Sequence, residues 1–87
     1  MATLRSYYEV AKIIGDIVPL SVSGKSSITA RCGFEIDGWG QEISAWNYKQ
    51  AVRKAIKVLK LGKGDRFTIV RIFMPHPKGC PTVVEVE

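Results

Sequence analysis

One segment of this sequence carries apolar residues at helical spacing, and the segments around it have the alternations and turns of short strands. The helical segment begins at Asn47, whose side chain can accept hydrogen bonds from the first free amides, and Gln50 can reach back toward the cap. Gly62 predicts an end in a left-handed cap. Between these signals lie the apolar positions Val52, Ala55, Ile56 and Leu59. We predict a single helix of about three turns.

Five further segments have the composition of strands. Strand-forming residues dominate the first, and apolar and polar residues alternate strictly in the second. Asp37-Gly38 is turn chemistry that predicts a hairpin into the third strand. Three prolines in residues 75–81 exclude a regular strand there. The predicted strands cover residues 7–18, 27–36, 41–46, 66–74 and 82–87. The fold class is therefore all-β with one helix, in the order β-β-β-α-β-β, and residues 1–87 form a single domain.

This order resembles the oligonucleotide-binding (OB) fold, a five-stranded, partly open barrel that binds oligonucleotides. Residues 11–17 (AKIIGDI) are similar to the first strand of the bacterial-type single-stranded DNA-binding proteins. Residues 61–69 (LGKGDRFTI) are similar to the end of their helix and the step into their fourth strand. The resemblance implies an OB-fold barrel that binds single-stranded DNA. The chain lacks that family's acidic extension and has a longer helical segment, which favours a compact relative of phage or plasmid origin.

Charge and cysteine usage limit the partners and the compartment. Thirteen Lys and Arg residues against eight Asp and Glu give a net charge of +5, which favours a polyanionic partner of any kind. No stretch approaches the roughly 18 consecutive apolar residues of a membrane helix. The first residues lack the apolar core of a secretion signal. We therefore expect a cytoplasmic protein, of a bacterium or an infected host cell, without a membrane partner and with Cys32 and Cys80 as reduced thiols.

Two tryptophans are the candidates for base stacking. Strand alternation places Trp46 opposite the inward-facing Ile43 and Ala45, and the resembled family has a base-stacking aromatic residue just before its helix. Packing of Trp46 against the helix or a second subunit is the structural alternative. Trp39 lies between two glycines at the predicted hairpin tip and is equally open to stacking or to subunit packing.

Three cations are the candidates for contacting phosphates. Arg31 lies on the polar face of the predicted second strand, from which it can reach the surface that carries Trp46. Lys25 lies in the first loop and Arg71 in the fourth strand. The cations of the helical segment are more simply explained as its solvated face: Arg53, Lys54, Lys57 and Lys60.

The sequence does not have the residue patterns that catalysis, a metal site or a cofactor site would need. The one histidine, His76, lies in a proline-rich segment, and its spacing indicates no partner for nucleophilic catalysis. Gly24-Lys25-Ser26 matches the end of a phosphate-binding loop, but Pro19 stands where that motif requires glycine. Two cysteines 48 positions apart do not have the spacing of a zinc site. We expect no enzymatic activity and no cofactor.

The sequence therefore predicts binding of single-stranded DNA, largely without sequence preference, and leaves RNA open as a ligand. The alternative is a protein-interaction module, such as a phage-encoded inhibitor or a replisome adaptor, that presents a barrel face or the basic helix to an acidic protein. A homodimer or higher oligomer is expected, because hydrophobic first and last strands leave edges that proteins tend to pair or cover.

Overall fold

The longest strand, β1 (Ser6–Asp16), pairs antiparallel with three other strands and is the centre of the fold. The computed structural model describes residues 5–16, 28–72 and 81–87, so the predictions for Lys25, His76 and Cys80 lie outside the described residues. After β1 the elements are α1 (Ile28–Arg31), β2 (Phe34–Ile36), β3 (Gln41–Ala45), α2 (Tyr48–Val58), β4 (Arg66–Ile72) and β5 (Thr82–Glu85).

The predicted mostly-β class, with one long helix between the third and fourth strands, is confirmed. Five strands form one antiparallel sheet in which β1 pairs with β2, β3 and β4, and β4 pairs with β5. Since β3 and β4 both pair with the first half of β1, they lie on its opposite edges. A closed barrel is not shown by the pairings among the described residues. No helix in those residues is long and apolar enough to cross a membrane.

The predicted hairpin between the second and third strands is wrong. Both β2 and β3 run antiparallel to β1, so they run in the same direction and cannot be the two arms of a hairpin. β3 pairs with the first half of β1 and β2 with its end, and the Asp37 amide donates to the Lys12 carbonyl at 3.0 Å. Gly38 does have the positive φ, +76°, that the turn chemistry predicts. The chain therefore continues in the same direction after this turn and does not reverse.

The second predicted strand, residues 27–36, is also wrong in its first half, which forms the helical turn α1. The Cys32 amide donates to the Ile28 carbonyl at 3.1 Å, and Gly33 at φ +94° ends the turn before β2 begins. Tertiary contacts hold α1 in place, because the Ile28 amide donates to the Glu9 carboxylate at 3.0 Å. The buried hydroxyls of Thr29 and Thr68 also lie 2.7 Å apart. A strand would expose Thr29, whereas this pairing buries it.

Helix α2 packs on one face of the sheet and begins where the sequence predicts. The Asn47 side chain accepts from the Gln50 amide at 2.9 Å, and the Gln50 side chain accepts from the Trp46 amide at 2.7 Å. Ala51 and Ala55 are fully buried against the sheet. Their partners in the core are Tyr8, Val10, Ile43, Ala45, Phe67 and Ile69. Strand β4 lies between β1 and β5.

The helix ends two residues earlier than Gly62 predicts. Leu59 is the C-cap, and Lys60 takes the left-handed conformation at φ +54°. The Leu61 amide donates to the Ile56 carbonyl at 3.0 Å, which is the hydrogen bond of a Schellman cap. Gly62 instead donates its amide to the Asp65 carboxylate at 2.8 Å. The prediction of Gly62 as the left-handed residue is therefore wrong.

Candidate functional site

Trp46 lies in the two-residue connection between β3 and α2, and its ring faces outward as strand alternation predicts. The neighbouring strand residues Ile43 and Ala45 are buried, whereas Trp46 is 45% exposed. Its backbone is fixed by the hydrogen bond to Gln50, which belongs to the helix cap. The guanidinium of Arg5, just before β1, lies 4.8 Å from the centre of the Trp46 ring, in a cation–π contact. The ring is thus held at the surface by local structure.

Trp46 lines a groove of about 790 Å³ that is formed mostly by residues of α2, with Ser44 of β3 and Arg5. We call this the basic groove, because five of its ten lining residues are cations and none is an acid. Its apolar wall is formed by Ile56 and Leu61, and its remaining polar residues are Ser44 and Gln50. The cations that line it are Arg5, Arg53, Lys54, Lys57 and Lys60.

The cations of this groove are crowded by the helical repeat. Residues three or four apart are neighbours on a helix surface, so Lys57 is adjacent to Arg53 and Lys54. Like charges at these spacings destabilise a helix by about 0.2–0.5 kcal/mol per pair. No acid occurs in α2 to compensate. The Lys54 ammonium donates to the Ser44 carbonyl at 2.9 Å on the edge of β3, and the other cations line the groove around it. A polyanion that neutralises them also relieves this repulsion.

Trp46 also lines a second groove, of about 590 Å³, with different chemistry. We call it the aromatic groove, because Trp46, Tyr48 and Tyr8 all line it. Tyr48 is the first residue of α2 and is 46% exposed, whereas Tyr8 is buried. The exposed Arg71 is the one cation among its lining residues. The rest of the lining is Ser6, Asn47, Ile69, Val70 and Thr82.

The structure brings together two of the five predicted binding residues. Trp46 and Arg71 line the aromatic groove. Trp39 is 65% exposed but lines neither groove, since it follows Asp37, which bonds to the far half of β1. Arg31 lies in α1, so the strand alternation that placed it beside Trp46 does not apply. Lys25 lies outside the described residues.

Sequence reasoning did not assign a nucleic-acid-binding role to the cations of the helical segment, which it placed on a solvated face or, in the alternative hypothesis, against an acidic protein. It assigned no role to Arg5 or Tyr48. A signal was present for the helix: five cations and no acid between Lys49 and Lys60, in a chain whose whole net charge is +5. The role of Arg5 depends on tertiary placement, because Arg5 is far from Trp46 in the sequence, whereas Tyr48 follows Trp46 by two residues. Within the described segments, no three His, Cys, Asp or Glu side chains are grouped to hold a metal ion.

The arrangement is suited to binding a flexible polyanion that carries planar groups. Cations of the basic groove can follow a line of phosphates, and the rings beside it offer surfaces for stacking. Comparison with known proteins adds no family to this description: no family model, curated protein or solved structure matches the chain.

Proposed function

We propose that this protein binds single-stranded DNA, largely without sequence preference. The observation that carries the proposal is the exposed Trp46, which lines both a groove with five cations and a groove with two further aromatic residues. Non-specific single-strand binders combine these two elements, with each base stack contributing about 1–3 kcal/mol. Single-stranded RNA presents the same phosphates and bases and is the comparison ligand.

The site favours a nucleic acid over the acidic protein surface of the alternative hypothesis. Both partners would use the cations of α2, and an acidic protein could also bury the exposed indole, since tryptophan is common at the centre of protein interfaces. A single strand also has unstacked planar bases, which can stack on the rings of the aromatic groove while its phosphates contact the cations. The protein-interaction module is therefore kept as an outcome of the test.

An OB-type barrel related to the bacterial single-stranded DNA-binding proteins is the architecture that we infer with this function. Two features support it: the position of the helix between the third and fourth strands, and the central strand β1, which pairs with β2 near its end and with β4 on its first half. The binding proposal does not depend on closure of the barrel, because both grooves are built from β1, β3, β4, α2 and the start of β5.

Tryptophan fluorescence tests the proposal directly. In a Trp39→Phe background the emission reports Trp46 alone, since the chain has two tryptophans. We expect oligo-dT to quench this emission at low salt, and oligo-rU to do so if RNA is also a ligand. Polyglutamate of matched charge serves as the control for a purely electrostatic partner. Unchanged emission and no mobility shift with oligo-dT, together with binding of polyglutamate, would contradict single-strand binding and favour the protein-interaction module.

A further inference from the structure

The two grooves that meet at Trp46 differ in a way that assigns them different parts of one ligand. The basic groove has five cations, whereas the aromatic groove has only Arg71 among its lining residues. Arg5, which covers the Trp46 ring, lines the basic groove and not the aromatic one. Ring surface is therefore available to a ligand on the side of the aromatic groove, next to Tyr48.

Resting on the proposed function, we propose that the aromatic groove receives one unpaired base and that Tyr48 makes the site select single strands over duplex. The groove volume of about 590 Å³ lies within the range of pockets that take small ligands, roughly 300–1,000 Å³. Its two exposed aromatic rings, Trp46 and Tyr48, and its polar lining residues suit a planar heterocycle with hydrogen-bonding edges. Tyr48, exposed at the first turn of α2, lines the same groove as Trp46 and offers a second ring on which that base can stack.

The selectivity follows from what each groove can distinguish. Phosphates are present in single strands and in duplexes, so the cations of α2 attract both. A base can enter the aromatic groove only when it is unstacked and unpaired, which costs a duplex a few kcal/mol and a single strand much less. The affinity therefore has two contributions. The cations of the basic groove supply the electrostatic part, and Tyr48 with Trp46 supplies the part that depends on whether the ligand is single-stranded.

The test compares four proteins against two ligands. Wild type, Tyr48→Ala, Tyr48→Phe and Lys57→Ala are titrated with an oligo-dT of about twelve nucleotides and with a duplex of equal length. We expect Tyr48→Ala to weaken single-strand binding roughly ten- to a hundredfold while duplex binding changes by less than about twofold. Tyr48→Phe keeps the ring and is expected to keep the selectivity. Lys57→Ala is expected to weaken both ligands by similar factors.

A second measurement tests whether the bases themselves, and not only the phosphates, contribute to the affinity. An oligonucleotide of the same length with an abasic site at every position is expected to bind wild type more weakly than oligo-dT does. The difference is expected to be smaller for Tyr48→Ala, because that variant has already lost a stacking ring. Thermal unfolding checks that Tyr48→Ala folds, as expected for an exposed first-turn residue replaced by the best helix former.

The outcomes separate the two proposals. If wild type binds neither ligand at low salt, the proposed function is wrong. If wild type binds oligo-dT but shows no preference over duplex, or if Tyr48→Ala loses both ligands equally or neither, single-strand binding stands and the assignment of Tyr48 is wrong. The same holds if Tyr48→Phe behaves like Tyr48→Ala, because a ring that stacks does not need the hydroxyl.

Discussion

Salt dependence distinguishes a cation that binds phosphate from one that is merely exposed, and the basic groove sets the size of the expected effect. Five charged side chains line this groove, without an acid among them. If each neutralises one phosphate of a single strand, the slope of log affinity against log salt is about −3.5, since each contact contributes about 0.7. Affinity for oligo-dT then falls about a hundredfold between about 50 and 200 mM salt.

Lys57→Ala is the perturbation that tests this number. Lys57 is exposed near the middle of the cation cluster, and alanine is the better helix former, so the fold is expected to persist. The slope is expected to fall to about −2.8, with most of the loss in affinity at low salt. Fluorescence anisotropy of labelled oligo-dT, measured at several salt concentrations, gives the slope. Lys63→Ala is the matched control, because Lys63 is an exposed lysine in the following turn that lines neither groove.

Trp46→Ala is expected to give the opposite signature. Stacking is short-ranged and nearly independent of salt, so the loss is about 1–3 kcal/mol at each salt concentration and the slope does not change. Lys63→Ala is expected to keep the wild-type slope. The reasoning is refuted if Lys57→Ala keeps it as well. It is also refuted if the wild-type slope corresponds to a single contact, because the strand then does not follow α2.

Three further predictions concern the fold and the assembly. Lys60→Gly is expected to raise the free energy of unfolding in urea by about 1 kcal/mol, since Lys60 has positive φ, while it weakens oligo-dT binding; a less stable variant contradicts the cap assignment. Thr29→Val is expected to cost about 1–2 kcal/mol in the same assay by leaving the buried Thr68 hydroxyl poorly paired, and the double variant with Thr68→Val is expected to cost less than the sum of the single variants. Light scattering at high micromolar concentration is expected to give at least a dimer, because β5 is an edge strand in the described sheet and its Val83 is 42% exposed; a strict monomer contradicts this.

Features that depend on neighbouring residues were determined by the sequence alone. The start of α2 is one, because Asn47 and Gln50 satisfy free amides within the same turn. The outward position of Trp46 is another, since successive residues of an extended strand point to opposite faces and Ile43 and Ala45 are apolar.

The partners of the strands were decided only by the tertiary structure. The alternation in residues 28–36 is compatible with a strand, but the buried hydroxyl pair and the Glu9 carboxylate, far away in sequence, stabilise the turn α1. The prediction of a turn at Asp37-Gly38 is correct, but the prediction that the chain reverses there is wrong. Both β2 and β3 pair with β1 and not with each other. The backbone amides and carbonyls of a strand can pair with those of any extended segment beside it. Local composition therefore does not specify which segment becomes the partner.

The candidate site shows the same division. The run of cations on α2 is visible in the sequence, but their role depends on what lies beside them. Arg5 precedes β1 and contacts the Trp46 ring, and Arg71 lies in β4 and lines the aromatic groove with Trp46. Only the antiparallel packing of β1 between β3 and β4 brings these segments together. A groove forms where segments that are distant in sequence pack side by side, so the spacing of residues within one segment cannot predict it.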